Sequence, residues 1–214
     1  MEKVARDQDG MIEVEPAESL RKVAEAEFPT RFGRFRIYGF ELARAEREQA
    51  VVLRMGDVEG EPPPLVRIHS QCLTGDVFHS LRCDCRAQLE LSLERIAAER
   101  RGLLIYENQE GRGIGLLNKL RAYELQDQGA DTVEANEALG FAADLRNYEL
   151  PAAILRYFGV QCVRLLSNNP RKIEALERAG IRVAERVPCL AASTPAEHYL
   201  RTKREKLGHW IEGF

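Results

Sequence analysis

The chain has 214 residues, 31 of them Lys or Arg and 34 Asp or Glu, for a formal net charge of −3. That balance argues against a general binder of nucleic acid or anionic membrane, which carries a basic excess. Hydrophobic residues make up 44%, an ordinary globular share that excludes disorder throughout and allows one domain, or two, with a core of its own. No apolar run approaches the roughly 20 residues of a membrane helix. The start, MEKVARDQDG, has charges where a signal peptide has its apolar stretch, so a cytoplasmic protein is expected.

Residues 1–21 are polar and acidic, contain Pro16 and lack periodicity; they read as a tail ahead of a folded region over 22–210. Phe35–Phe40 alternates and predicts a strand, with Ala50–Met55 as its neighbour. Gly60-Glu61-Pro62-Pro63-Pro64 breaks the chain, and Leu65–Ile68 reads as a further short strand. The period then changes: Leu89, Leu93, Ile96 and Ala97 recur at helical spacing, with Gly102 as a left-handed cap. Leu103–Tyr106 is a short buried strand. Gly111, Gly113 and Gly115 form a turn, and Leu116–Gln128 is helical up to Gly129.

The last third alternates helix and strand. Ala152–Phe158 is helical, Cys162–Leu166 a strand, and Pro170 opens a helix ending at Gly180. Ile181–Val187 is the next strand. Strand, helix and strand at this spacing imply a parallel pair with a right-handed crossover. Ala196–Trp210 is amphipathic and charged, the pattern of a surface or interface helix. The fold class is α/β, with mixed sheets and a parallel strand–helix–strand part near the carboxyl end.

The cysteines are Cys72, Cys83, Cys85, Cys162 and Cys189. An odd count cannot form a complete disulfide framework, and clustered cysteines in a cytosolic chain point to metal or catalysis. Three thiols from one stretch suit zinc. Three ligands leave a fourth position for water, the pattern of a catalytic site, where zinc lowers the pKa of bound water to about 7. A closed site with nearby His69 as fourth ligand, or three reduced cysteines without metal, are the alternatives at this point.

Several segments together resemble GTP cyclohydrolase II. They are Arg67-Ile68-His69-Ser70-Gln71-Cys72-Leu73-Thr74-Gly75-Asp76, Ser80-Leu81-Arg82-Cys83-Asp84-Cys85 and Gln109-Glu110-Gly111-Arg112-Gly113-Ile114-Gly115-Leu116. Asn118–Tyr123, Asp131–Asn136, Leu139-Gly140-Phe141 and Leu166–Pro170 continue the match, which covers roughly Val23 to Gly208. The resemblance implies one catalytic domain over 22–210. It implies a hydrolase that opens the imidazole ring of GTP and releases formate and pyrophosphate. The product would be 2,5-diamino-6-(5-phosphoribosylamino)pyrimidin-4(3H)-one, the first intermediate of riboflavin biosynthesis. It also implies one zinc per subunit, magnesium with the triphosphate, a homodimer, and no nucleic-acid or membrane partner.

Residue by residue, the resemblance makes Cys72, Cys83 and Cys85 the zinc ligands. Arg67, Ile68, His69, Ser70, Gln71, Gln88, Glu110, Gly111, Arg112, Thr132, Ser167 and Lys172 match GTP-contacting positions. Glycines at 111 and 113 let backbone N–H groups approach an anion, and Arg112 adds a bidentate phosphate contact. The spacing there is not that of a Rossmann or P-loop fingerprint. Asp144 matches the proton acceptor. Arg146 matches a residue that takes the nucleotidyl group, although a guanidinium has no free lone pair and a charge clamp is the cheaper role. Tyr123 matches a tyrosine linked to ring opening. His79, His198 and His209 receive no role.

The chain departs from the family pattern at Gln71, where many relatives have Glu, and at Arg86, where they have Gly. Two other functions fit the same motifs: a paralogue stopping at the formylated, ring-opened product, and a non-catalytic zinc-containing nucleotide sensor. The stretch before residue 22 is too short for the dihydroxybutanone-phosphate synthase domain of some relatives, so a single activity is expected.

Overall fold

Leu65–Ser70 (β4) and Gly102–Glu107 (β5) carry the most continuously buried side chains of any strands. A strand buried on both faces belongs in the middle of a sheet, and these two pair in parallel at its centre. The computed structural model describes residues 20–43, 48–190 and 197–211, and the polar tail expected over 1–21 lies, up to residue 19, outside them.

The other strands are Leu20–Thr30 (β1), Gly33–Leu42 (β2), Glu48–Met55 (β3), Cys162–Leu166 (β6) and Arg182–Val187 (β7). Among the described residues there is one mixed sheet of seven strands, ordered β1-β2-β3-β5-β4-β6-β7. Its first half is antiparallel, from β1 to β5. Its second half is parallel, from β5 through β4 and β6 to β7. The strand–helix–strand unit expected near the carboxyl end is therefore present, with β6 and β7 paired in parallel.

The helices are Leu73–Asp76 (α1), Cys85–Glu99 (α2), Leu116–Asp127 (α3), Thr132–Ala138 (α4), Glu149–Tyr157 (α5), Pro170–Arg178 (α6) and Glu197–Leu207 (α7), with a 3₁₀ turn at Glu110–Gly113. Alternation along the central strands divides the core between two faces. Leu103 and Ile105 of β5 join Leu150, Ile154 and Leu155 of α5 and Leu176 of α6. Leu104, between them, packs on the other face with Leu93 and Ile96 of α2. Asn169 caps α6 by accepting from the Arg171 N–H at 3.0 Å, with Pro170 in the first turn as expected.

Two readings need correction. Leu20 and Arg21, placed in the tail, already belong to β1. That strand is exposed along nearly its whole length, so neither face carries the apolar alternation that marks a strand. Gly102 is not the cap of α2: Arg100 takes the left-handed position at φ 54°, and Gly102 opens β5. Gly102 has φ +153°, and a Cβ there would stand 2.4 Å from the Leu65 carbonyl oxygen. Gly102→Ala should therefore cost about 2–3 kcal/mol of stability through strain and overpacking at the β4–β5 seam, read as a lower urea midpoint at unchanged slope. The helix expected over 196–210, on the surface or at an interface, is described from residue 197 as α7; Leu200 is buried, as is Ile211 beyond it, so it packs on the body of the domain and reaches the cavity described next.

Candidate active site

Parallel strands leave a crevice beyond their carboxyl ends, and the residues expected in the site gather there. β4 runs into Gln71, Cys72 and α1; β5 runs into the Glu110–Gly113 turn; β6 runs into Ser167-Asn168-Asn169 and α6. Two adjoining cavities fill the crevice and share Ser70, Cys85, Arg112, Arg146 and Tyr199. One holds the thiols and the other is rimmed by cations.

Cys72, Cys83 and Cys85 converge so that their sulfurs lie within 4.8 Å of one another. Cys72 Sγ is 3.7 Å from Cys83 Sγ. The one-turn helix α1 curls under the cluster, and Gly75 makes this possible: a Cβ there would meet Cys83 Sγ at 2.7 Å and Cys72 Sγ at 3.1 Å. Hydrogen bonds from Cys83 and Cys85, with the Lys119 charge, hold the Cys72 thiol far below its ordinary range despite burial. The same sharing, with burial, pushes Cys83 up to about 11 and Cys85 higher still. One thiolate and two thiols in a glycine-floored cup form a donor set that suits zinc.

His69 does not join this set. Its Nε2 lies 3.1 Å from Asp76 Oδ1, its ring stacks on Tyr106, and burial lowers its pKa. Asp76 also accepts from the Cys72 N–H at 3.0 Å and from the Tyr106 hydroxyl at 2.8 Å. The closed-site alternative loses its fourth ligand. Cys162 lies on β6, and Cys189 is packed in the core beside Ser92, so neither reaches the cluster.

Lys119 was not singled out from the sequence, yet it touches the cluster directly. Its Nζ donates to Cys72 Sγ at 3.1 Å and to Glu110 Oε1 at 2.7 Å. Burial would lower its pKa, but the charges of Cys72 and Glu110 outweigh that and raise it. It sits one helical turn before Tyr123 and so shares its face, a spacing legible in the Asn118–Tyr123 motif. Tyr123 Oη lies 3.1 Å from Thr74 Oγ1, and the Arg82 guanidinium stacks 4.7 Å over the ring. The Glu110 carboxylate accepts from the N–H groups of Leu73 and Gly111, which ties the turn to α1.

At the cationic end Arg67 donates to the Leu166 carbonyl at 2.9 Å and to Gln88 Oε1 at 2.6 Å. Lys172, expected either on a phosphate or in solvent, is buried and donates to the Ile68 carbonyl at 2.7 Å. Burial, then Arg67 and Arg146, depress its pKa. Arg146 grips Asp144 with Nε and Nη2 at 2.8 and 2.7 Å, while Nη1 points to Ser70 Oγ at 3.4 Å. Although burial opposes it, Arg146 holds the Asp144 carboxyl below its usual range, and Arg171 adds to the effect. The Asp144–Arg146 pair is 4% and 12% exposed, which removes the reading of a surface ion pair.

Of the residues expected in the site, all but two line the shared cavity. Ile68 turns its side chain into the core and offers only its backbone. Asp144 stands behind Arg146. Gln71, Thr132 and Tyr123 face the thiol end, and Ser167 and Gln88 the cationic end. Gly111 and Arg112 both adopt positive φ, and Arg112 has both Nη atoms buried without a partner. Arg86, expected to depart from the family pattern, bonds the Asp76 carbonyl at 2.6 Å and so braces α1 against α2. Sequence reasoning also missed Glu107. It is fully buried, accepts from Ser70 and Gln109, and is pushed up to about 7 by burial against the pull of Lys172 and Arg146.

Comparison with known proteins adds a family. A family model described as GTP cyclohydrolase II matches residues 21–188. A protein named GTP cyclohydrolase-2 from Teredinibacter turnerae is 53% identical over 91% of this chain and 98% of its own length. Namesakes from Yersinia pseudotuberculosis and Escherichia coli are each 56% identical over 90% of this chain and 98% of theirs. A solved two-domain 3,4-dihydroxy-2-butanone 4-phosphate synthase from A. baumannii aligns at 19% identity and a TM-score of 0.38. It covers 69% of this chain, which spans about a third (34%) of it, a likeness too loose to carry weight.

Proposed function

The chain belongs to the GTP cyclohydrolase II family and is an enzyme of that class, and from this premise we propose that it opens the imidazole ring of GTP, releasing formate and pyrophosphate. The product is 2,5-diamino-6-(5-phosphoribosylamino)pyrimidin-4(3H)-one, and the reaction begins riboflavin biosynthesis. The observation that carries this reading is the joining of a three-thiol cup and a cation-lined cavity around Ser70, Arg112 and Arg146. Ring opening and phosphoanhydride cleavage then happen at two ends of one substrate.

Zinc held by Cys72, Cys83 and Cys85 would supply water acidified at neutral pH for attack on the purine C8 and on the formamide that follows. Lys119 supports the charge of the Cys72 thiolate. The Tyr123 hydroxyl, oriented by Thr74, stands at this end as a proton donor or acceptor to the opening ring. Arg146 is a charge clamp on the phosphate next to the scissile bond: its pKa is raised and its nitrogens are directed by Asp144 and Ser70. Asp144 is ionised, so it is in the proton-accepting form, and its firm hold on Arg146 makes orientation of that fork its main task. Magnesium would accompany the triphosphate. The working unit is a cytoplasmic homodimer, for which the exposed Phe78, Leu81 and Leu117 offer apolar surface to bury.

Zinc-loaded protein incubated with GTP and Mg²⁺ tests the reading by its products. Equal yields of formate and pyrophosphate support it. Pyrophosphate without formate would indicate the formylated-product paralogue, and neither product would indicate a sensor. Tyr123→Phe should keep pyrophosphate release near wild type while slowing formate release about 10²-fold, the scale of one lost proton-transfer group. Parallel loss of both products would remove Tyr123 from the ring-opening step.

A further inference from the structure

The family match ends at residue 188, yet one wall of the cavity comes from beyond it. Tyr199, Lys203 and Leu207 of α7, with His209 from the following turn, line the cationic end. The segment is seated rather than appended. Leu200 and Ile211 are buried, and the Trp210 N–H donates to the Asn168 carbonyl at 2.9 Å, in the turn that carries Ser167. Lys206 pairs with Asp131 and Glu134, the capping box of α4.

Lys203 is the inner anchor. Its Nζ donates to Asp84 Oδ1 at 2.9 Å, and Asp84 also bonds Gln88, whose Oε1 accepts from Arg67 at 2.6 Å. A hydrogen-bonded chain thus runs from α7 across α2 to β4. An ammonium has three donors, and Asp84 takes one of them. The groups facing this space are unbalanced. Arg67, Arg112, Arg146 and Lys203 are set against Asp84 and Asp144, while Lys172, depressed by burial and its cationic neighbours, and Glu107, raised by burial, face each other. Burial and then the neighbouring cations drive His209 down to about 2, so it stays neutral. The Arg112 guanidinium, its Nη atoms unpartnered, faces the Tyr199 ring at 5.9 Å. An excess of buried cations with orphaned donors calls for a multiply charged anion.

We propose that α7 and its turn close the polyphosphate end of the substrate cavity, with Lys203 and His209 as binding residues for the polyphosphate chain. The proposal rests on the reading of the substrate as a nucleoside triphosphate. Hydrogen exchange of the wild-type, zinc-loaded protein tests it, with inorganic tripolyphosphate as the probe. Amides over 199–210 should exchange more slowly when the probe binds, and the probe should compete with GTP. Lys203→Met should raise the inhibition constant of tripolyphosphate about tenfold or more, the scale of a charge-assisted hydrogen bond, with bound zinc unchanged. Lys203→Arg should recover most of that loss.

Three results would overturn the proposal. They are competition without protection over 199–210, a Lys203→Met inhibition constant within about twofold of wild type, and loss of zinc together with weakened inhibition, which would make Lys203 a support of the thiol loop. A wild-type protein that neither turns over GTP nor binds tripolyphosphate would instead refute the proposed function and take the role of α7 with it. That pattern is distinct from normal turnover with an indifferent helix.

Discussion

Cys83→Ser should leave a folded chain that holds no zinc and turns over no GTP. Cys83 lies in the loop before α2, outside both core clusters, so its loss removes a ligand without opening a cavity in the core. Two thiols cannot hold zinc as three do. A metal centre contributes several kcal/mol of charge stabilisation, and each 1.36 kcal/mol is tenfold in rate. Turnover should fall by about 10³-fold or more. Metal analysis and the formate assay on one preparation check it, with the urea midpoint as a control on folding. Full activity in a metal-free Cys83→Ser protein would end the account of the thiol cup.

Arg146→Ala should separate the two ends of the site. Zinc content should stay at the wild-type value, because Arg146 touches Asp144 and Ser70 but no thiol. Pyrophosphate release should fall about 10²–10³-fold, the cost of removing one preorganised donor from a developing anion. Arg146→Lys should recover little, since an ammonium cannot reproduce the bidentate fork on Asp144 while still reaching Ser70. A pyrophosphate assay under saturating GTP decides the matter, and undiminished release would remove Arg146 from the phosphate step.

The parallel β6–α6–β7 unit at the carboxyl end was legible because its residues obey simple rules, whereas the parallel pairing of β4 with β5 and β6 was not read from the sequence. Cys162–Leu166 is apolar apart from Arg164 and is bounded by turn residues, Asn169-Pro170 is a helix start, and Gly180 a helix end. β1 was illegible because a strand exposed on both faces has no reason to alternate. α1 is four residues long, below any periodicity, and its close approach to the thiols needs the glycine at 75. α4 could have been found: Asp131-Thr132-Val133-Glu134 is a capping box in sequence and forms one in the structure. Gly102 was misassigned because a glycine after a helix reads as a cap, whereas here the Leu65 carbonyl excludes a side chain.

In the site, the cysteine spacing carried its own chemistry, and the tight sulfur cluster agrees with it. Residues whose meaning depends on the fold were out of reach. Glu107 reads as the end of a strand until Ser70 and Gln109 close over it. Asp84 reads as a polar spacer between two cysteines until Lys203, 119 residues away, pairs with it. Lys172, read as either solvated or phosphate-bound, is not solvated: it is buried in the cavity wall, donates to the Ile68 carbonyl and is depressed by burial and its cationic neighbours.

The central claim is an open three-thiolate zinc site, and X-ray absorption at the zinc edge of the zinc-loaded protein tests it most directly. The account predicts three sulfur neighbours at about 2.3 Å and one oxygen at about 2.0 Å, with no imidazole scattering. Four sulfurs, or the outer-shell signature of a histidine ring, would contradict it, because either closes the position from which water must act.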